Sequence, residues 1–305
     1  MAVPSSGVLS LAGIRAELAT NTYNASATTT SSLEDLSDGT VATINTGNAS
    51  GDRPDGSAPH AMSEFYAYDH DLSSFNDNIS FDLDGANDYL EGAGNLANAI
   101  SVSTGSISTW IKIDSHSANG LIWAINTEEG STDQIFLLYH NSVGKVRANF
   151  KGGNTSNLAD SSSGLEGDNT WHHFVVTWQA QAKASGNIVK LYEDGSLVDS
   201  DAIGSVFSGS PAIFGFGRNA IQNFGQNFNG HLNDMAIFDD VLTSSEVSAI
   251  YNSGAPKDES SHSGIISYYT LEGYSNGDTT VADDSSNSHT LTITNSTDID
   301  STDTP

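Results

Sequence analysis

From about residue 78 the chain alternates apolar and polar positions in short runs. In SFDLDG, Phe81 and Leu83 alternate with Asp82 and Asp84, which predicts a strand with one apolar and one acidic face. SISTWIKI, LIWAI, QIFLLYH and KVRANF follow, separated by turn residues. WHHFVVTW (residues 171–178) comes next, then NIVKLYEDGSLVDS, where Asp194-Gly195 stands between two apolar runs. Asp-Gly suits a two-residue hairpin loop, because both positions take positive φ. AIFGFGR and FNGHLNDMAIF predict two more strands, and IISYYTLEG and HTLTITN two at the end, flanking the acidic turn VADDSSNS. Short strands joined by turns predict an antiparallel sandwich rather than a parallel sheet with helices. One helix interrupts them: in TSSEVSAIYNSG, Thr243 and Glu246 form a capping box, Val247, Ile250 and Tyr251 the apolar face, and Gly254 the C′ stop.

Residues 1–70 follow a different pattern. Ser10 is placed to cap a short helix with Leu11, Ile14 and Leu18 on one face. A Thr/Ser/Asn-rich stretch, a brief turn SLEDLSDGT and a Gly/Asp/Pro segment lead to AMSEFYAYDH, with Phe65, Tyr66 and Tyr68. So small a segment has too little apolar surface for a core of its own. It is read as an attachment module, in which these six apolar and aromatic residues pack on something else. Residues 71–77 are then a linker, 78–295 the sandwich, and 296–305 a tail with no packing signal.

Composition narrows the partners. The net charge of −28, from 38 acidic and 10 basic residues, repels phosphate backbones and excludes nucleic acid. With no cysteine, disulfides and thiolate metal sites are excluded too. The start, MAVPSSGVLSLAGIRAEL, lacks the cationic and apolar regions of a signal peptide, so none is expected. No run approaches the ~20 apolar residues that span a bilayer, so membrane insertion is not expected.

The adjacent histidines of WHHFVVTW pose the sharpest chemical question. On a strand, His172 and His173 point to opposite faces, so they cannot share one metal or relay one proton. Neither HExxH nor a cysteine pair supplies further zinc ligands. The pair is read as structural, one ring hydrogen-bonded in the core and the other toward a loop. A sugar site is sought instead in NAIQNFGQNFNG, where Asn223, Phe224, Gln226 and Phe228 combine amide donors and acceptors with aromatic rings. The same rings also suit the filling of a sandwich edge, and the sequence leaves both uses open.

WHHFVVTW, KLYEDGSLV and FNGHLNDMAIFDDVLTSSEVSAIYNSG, preceded by SFDLDGANDYLEG, resemble the concanavalin A-like, laminin-G/pentraxin group of sandwiches over residues 78–295. The resemblance implies an all-β laminin G-type jelly roll. It makes calcium the candidate ion, held at the sheet rim by Asp84, Asp88 and Asp234, with the acidic turn Asp283-Asp284 matching there too and no cofactor otherwise required. The alternative is that these aspartates shape turns through Asx bonds. In that group a pair like IISYYTLEG…HTLTITN usually precedes the Phe-Asp-Gly segment; here it comes last, implying closure by a C-terminal hairpin or a truncated repeat. Glycan-cleaving members carry a Glu-x-Asp-x-x-Glu strand, which is missing here. Glu128-Glu129 and Asp239-Asp240 are consecutive and would face apart, and no Gly-x-Ser-x-Gly elbow occurs, so no enzyme is expected.

SSGVLSLAGIRAEL…SLEDLS…APHAMSEFYAYDH is similar to short N-terminal modules of bacteriophage tail and virion proteins, especially marine ones. This implies a virion structural protein that docks to capsid or tail proteins by residues 1–70. The sandwich would be displayed outward as capsid decoration or tail fibre, in a homo-oligomer, with a host surface glycan as a further partner. Synthesis in the host cytoplasm and release in the virion by lysis would follow. A receptor-binding lectin and a carbohydrate-active enzyme are the alternatives.

Overall fold

The computed structural model describes residues 3–20, 22–24, 26, 31–44, 53–68, 70, 79–92, 94–116, 118–127, 133–181, 185–217, 227–272, 274–295 and 300–305. The chain divides into two compact units, Met1–Asn76 and Asp77–Pro305. The expected linker, 71–77, lies outside the described residues.

In the first unit α1 (Leu11–Thr20) begins at Ser10, whose hydroxyl accepts from the Gly13 N–H at 3.0 Å. α2 (Leu33–Ser37) carries a reciprocal cap between Ser32 and Asp35. A 3₁₀ turn over Met62–Phe65 completes the regular structure. Val3, Leu9, Ile14, Leu18, Leu36, Phe65 and Tyr68 form a core within this unit. That corrects the attachment residues. Ile14, Leu18, Phe65 and Tyr68 are buried against one another, and Leu11 and Tyr66 are half-buried. Phe65 meets Tyr68 edge to face at 5.8 Å, so rings that look unpartnered along the sequence satisfy each other. Among the described residues of this unit, the large apolar side chain left in solvent is Val8.

The second unit is a sandwich. Its first elements are β1 (Ser80–Asp84), β2 (Tyr89–Gly92), α3 (Gly94–Ala99), β3 (Thr104–Ile113), β4 (Gly120–Asn126) and β5 (Gln134–His140). Then come β6 (Lys145–Gly152), β7 (Thr155–Ser163), β8 (His172–Gln179), β9 (Ile188–Glu193), β10 (Ser196–Ala202) and β11 (Ile213–Phe216). The last are β12 (Asn229–Phe238), α4 (Ser244–Tyr251), β13 (Ile265–Tyr269), β14 (Thr280–Val281), β15 (Leu291–Thr294) and β16 (Asp300–Ser301). The first sheet runs β10-β9-β8-β3-β12-β1-β16, with β13 also on β12; the second runs β14-β15-β2-β11-β4-β5-β6-β7. All pairings within the two sheets are antiparallel. Alternation places Phe81, Ile107, Phe174, Trp178 and Leu232 of the first sheet in one core with Leu90, Trp123, Leu137, Phe150 and Phe214 of the second. Each such side chain removed from water contributes roughly 1.5–3 kcal/mol.

Local signals in the sequence become real turns and caps. Asp194 and Gly195 adopt φ of 48° and 75°, closing the β9–β10 hairpin. Thr243 and Glu246 cap α4 reciprocally. The helix ends earlier than Gly254 suggests, because Asn252 already turns left-handed at φ 47°.

Three features depart from the sequence reading. The segment 265–294 is not a closing hairpin: β13 joins β12 in the first sheet while β15 joins β2 in the second. The tail is packed, since β16 pairs with β1, Asp303 pairs with Lys112, and the Trp171 indole donates to Asp303 at 2.9 Å. β1 otherwise presents an open edge, which explains why a polar segment without apolar pattern adds there. Third, β7 (TSNLADSSS) and α3 carry no signal that singled them out. Among the described residues no helix is long and apolar enough to cross a membrane.

Candidate functional site

β8 sends its two histidines apart. His172 sits between two carboxylates, with Nδ1 3.0 Å from Asp194 Oδ2 and Nε2 3.1 Å from Asp168 Oδ2. Its hydrogen bond with Asp194, and then that with Asp168, push its pKa up to about 9 against a burial cost. The ring is a charged clamp between the β9–β10 hairpin and the loop before β8. His172, Glu193 and Asp194 come within 4.8 Å of one another, as three metal ligands would. Both nitrogens of His172 are already taken, however, and Glu193 accepts from the Ser162 N–H at 2.9 Å and hydroxyl at 2.5 Å. His173 is buried among Trp110 (5.1 Å), Tyr251 of α4 (5.9 Å) and the Ser108 hydroxyl (2.7 Å from Nε2). Burial lowers its pKa to about 3, so it is neutral.

The concave chemistry lies at the sandwich rim. A cavity of about 160 Å³ is lined by Asp84, Ser115, His116, Asn119, Asn227 and Asn229. Register places Asp84 opposite Asn229, and Ser115, His116, Ala118 and Asn119, between β3 and β4, supply the other wall. The turn after Asp84 needs glycine: Gly85 has φ +73°, and a Cβ there would meet Asn229 Cβ at 2.9 Å. Asp84 Oδ1 accepts from the Ala86 N–H at 2.7 Å, making the turn an Asx turn. The Asn227 amide donates to the Ala86 carbonyl, and the Asn229 amide to the Ser115 carbonyl at 2.8 Å. Each asparagine therefore ties two loops together while its side-chain oxygen has no protein donor among the described residues.

His116 anchors the wall. Its ring packs between Tyr139 (5.0 Å) and Phe228 (5.5 Å), and Nε2 accepts from the Asn229 N–H at 3.3 Å. Burial lowers its pKa, so the ring is neutral and its proton lies on Nδ1. Glu166 accepts from the His116 N–H at 2.5 Å and the Tyr139 hydroxyl at 2.6 Å, clamping the loop to β5. Those bonds hold Glu166 below the usual carboxylate range. Burial first, and the Glu166 partner second, push Tyr139 up to about 12.

The sequence candidates fare unevenly. Phe228 is fully buried in the core, beneath His116, and offers no platform to a sugar; this corrects its assignment. Asn223, Phe224 and Gln226 lie outside the described residues, as do Glu128 and Glu129. Asn227 and Asn229, the continuation of the same Asn-rich run, do reach the cavity. Ser115, His116 and Asn119 carry no motif, and only their placement reveals them.

The calcium set does not assemble. Asp88 is buried and accepts from the Asp84 N–H at 3.3 Å; burial raises its pKa, with the neighbouring Asp84 and Asp82 charges adding to the effect. Asp234 sits in a β-bulge of β12 at φ 48°, buried, where its carboxylate accepts from the Tyr268 hydroxyl. Beyond Leu232 the partner of β12 changes from β1 to β13, so Asp234 stands away from Asp84 and Asp88. The acidic turn is engaged with protein donors as well. Asp283 accepts from the N–H groups of Tyr268, Ser285 and His289, and Asp284 from the Thr270 N–H and hydroxyl. These residues do not fit one calcium ion.

No curated protein matches the chain in sequence. Among solved structures it is similar to a heptameric SAP-like pentraxin from Limulus polyphemus: 16% identity, 57% of this chain and 82% of that one, TM-score 0.43. It is also similar to a Bacteroides ovatus protein described as carbohydrate binding: 18% identity, 73% and 61% coverage, TM-score 0.49. A third is the CBM40 of a Ruminococcus gnavus IT-sialidase, bound to α2,3-sialyllactose: 17% identity, 56% and 96% coverage, TM-score 0.44. Residues 84–248, more than half of the chain, match the concanavalin A-like lectin/glucanases superfamily in its laminin G form, and the protein belongs to that family.

Proposed function

We propose that the sandwich binds glycans without cleaving them, and that sugar hydroxyls occupy the rim cavity of Asp84, Ser115, His116, Asn119, Asn227 and Asn229. The cavity's lining carries this reading. Amide oxygens and a carboxylate accept, amide nitrogens and the His116 Nδ1–H donate, and a sugar hydroxyl needs both. Among the described residues Asp84 is the one carboxylate lining the cavity, whereas glycoside hydrolysis uses two. That favours the binding side of a family that joins lectins and glucanases.

The test is a glycan array with the full chain, followed by titration of the best sugar against Asn227→Ala and Asn229→Ala. Each change removes a cavity amide and is expected to weaken binding about tenfold, the scale of one to two lost hydrogen bonds. The thermal midpoint should fall by only a few degrees. Undiminished binding in both variants, or no glycan bound by the wild type, overturns the proposal.

We propose as a second element of the reading that the separate first unit attaches the sandwich to a larger assembly, a virion if the resemblance of residues 1–70 to phage modules extends to function. A chain lacking residues 1–76 is expected to stay folded, bind the same glycan, and fail to join particles. Normal incorporation of that shortened chain would show that attachment lies elsewhere.

A further inference from the structure

Two cross-strand pairs along from Asp84 and Asn229, Asp82 of β1 stands opposite His231 of β12, which in turn stands opposite Lys112 of β3. Asp114 follows Lys112 by two residues, where β3 ends. One ligand atom from each of Asp82, Asp114 and His231 lies within 4.8 Å of the others. His231 is only 8% exposed, and its Nδ1 is buried with no hydrogen-bond partner. A buried ring nitrogen of this kind normally has one. Neither carboxylate has a protein donor among the described residues. Lys112, the cation on the same rung of the neighbouring strand, is committed to Asp303 and, at 3.4 Å, to Asn169 Oδ1. Two carboxylates and an orphan imidazole thus converge without a protein cation between them.

We propose that Asp82, Asp114 and His231 bind one divalent transition-metal ion of the zinc class, with water completing its shell. The charge balances, since two carboxylates neutralise one divalent ion. The donor set also selects the ion. Zinc, cobalt and nickel accept imidazole nitrogen beside carboxylate oxygen, whereas calcium and magnesium prefer oxygen alone. Both aspartates are half-buried, so the ion would keep a side open to water. The Trp171 ring, 5.9 Å from that of His231, limits the other side of the imidazole. The ion would fasten β1, β12 and the exit of β3, the same three segments that wall the rim cavity. The site stands independently of the glycan reading, because none of its ligands lines that cavity.

The experiment uses the full chain, stripped with chelator and titrated with Zn²⁺, Co²⁺ and Ca²⁺ by calorimetry. One Zn²⁺ per chain is expected, undisplaced by excess Ca²⁺. The Co²⁺ form should show a single paramagnetically shifted imidazole N–H resonance, reporting one histidine ligand in the wild-type protein. His231→Gln and Asp82→Asn should each weaken Zn²⁺ binding about tenfold or more, while His172→Gln, in the other His/carboxylate cluster, binds as wild type. Undiminished binding in His231→Gln overturns the proposal, as does loss in His172→Gln instead. So does a Co²⁺ spectrum with no shifted imidazole or with several, a readout that does not depend on any variant folding.

Discussion

Trp178→Ala is expected to lower the unfolding free energy of the sandwich by about 3–5 kcal/mol, and Gly105→Ala by about 2–3 kcal/mol. The two residues are one packing unit. Trp178 is fully buried, and its indole N–H donates to the Ser101 carbonyl at 3.0 Å. Gly105 stands directly opposite it on β3, and a Cβ there would lie 2.4 Å from Cζ2 and 2.9 Å from Cε2 of the indole. The ring lies across the position where a side chain would otherwise stand. It cannot swing away without breaking the bond to Ser101, so an added methyl is not absorbed cheaply. Urea unfolding of Gly105→Ala, Trp178→Phe and the double variant tests this. The smaller ring should relieve part of the alanine clash, giving a coupling of about 1–2 kcal/mol. Strict additivity would mean that the indole does not depend on the missing side chain.

The adjacent histidines should give the sandwich a stability maximum near pH 6.5, with the two limbs governed by different rings. His173 is held neutral, its pKa lowered to about 3 by burial. Between that value and the unfolded pKa of about 6.5 the unfolded chain binds the extra proton. The contribution of His173 is therefore complete above pH 6.5 and is lost as pH falls toward 3, by up to ~1.4 kcal/mol per unit, or about 2 kcal/mol at pH 5. His172 has the opposite sign. Its pKa is raised to about 9, so its contribution is complete below pH 6.5 and is lost as pH rises through 9. Asp168 and Asp194 are partly exposed, and solvent screening reduces that loss to about 1 kcal/mol by pH 8. Denaturant unfolding from pH 4.5 to 9 separates the limbs. His173→Gln should flatten the acid side only, and His172→Gln the alkaline side only. Unchanged slopes in both variants would mean that groups other than these two rings govern the pH dependence.

Much of the architecture is legible wherever the signal is local. Phe81/Leu83 against Asp82/Asp84, Asp194-Gly195, and Thr243 with Glu246 each concern residues within a few positions of one another. Each became the strand, hairpin and cap it predicts. The opposite faces of His172 and His173 follow from strand alternation alone. β7 was illegible because its support is remote. Its Leu158, Asp160 and Ser162 N–H groups donate to the carboxylates of Asp201, Asp199 and Glu193, so a polar strand is held by side chains some thirty to forty residues away.

The sequence by itself determined the class of fold, the acidic surface, the exclusion of thiolate chemistry and the positions of the tight turns, since these depend on residue type and short spacing. Tertiary structure decided which polar residues remain available. Asp234, Asp283 and Asp284 look like ligands along the chain, yet their oxygens are taken by Tyr268, Ser285, His289 and Thr270. Phe228 looks like a sugar platform and is core. Asp84 with Asn229, and Asp82 with His231, meet only through the register of β1 on β12, about 150 residues apart. A carboxylate that serves a backbone N–H and one that awaits an ion have the same letter in the sequence. Only the donors that fold up around each of them separate the two.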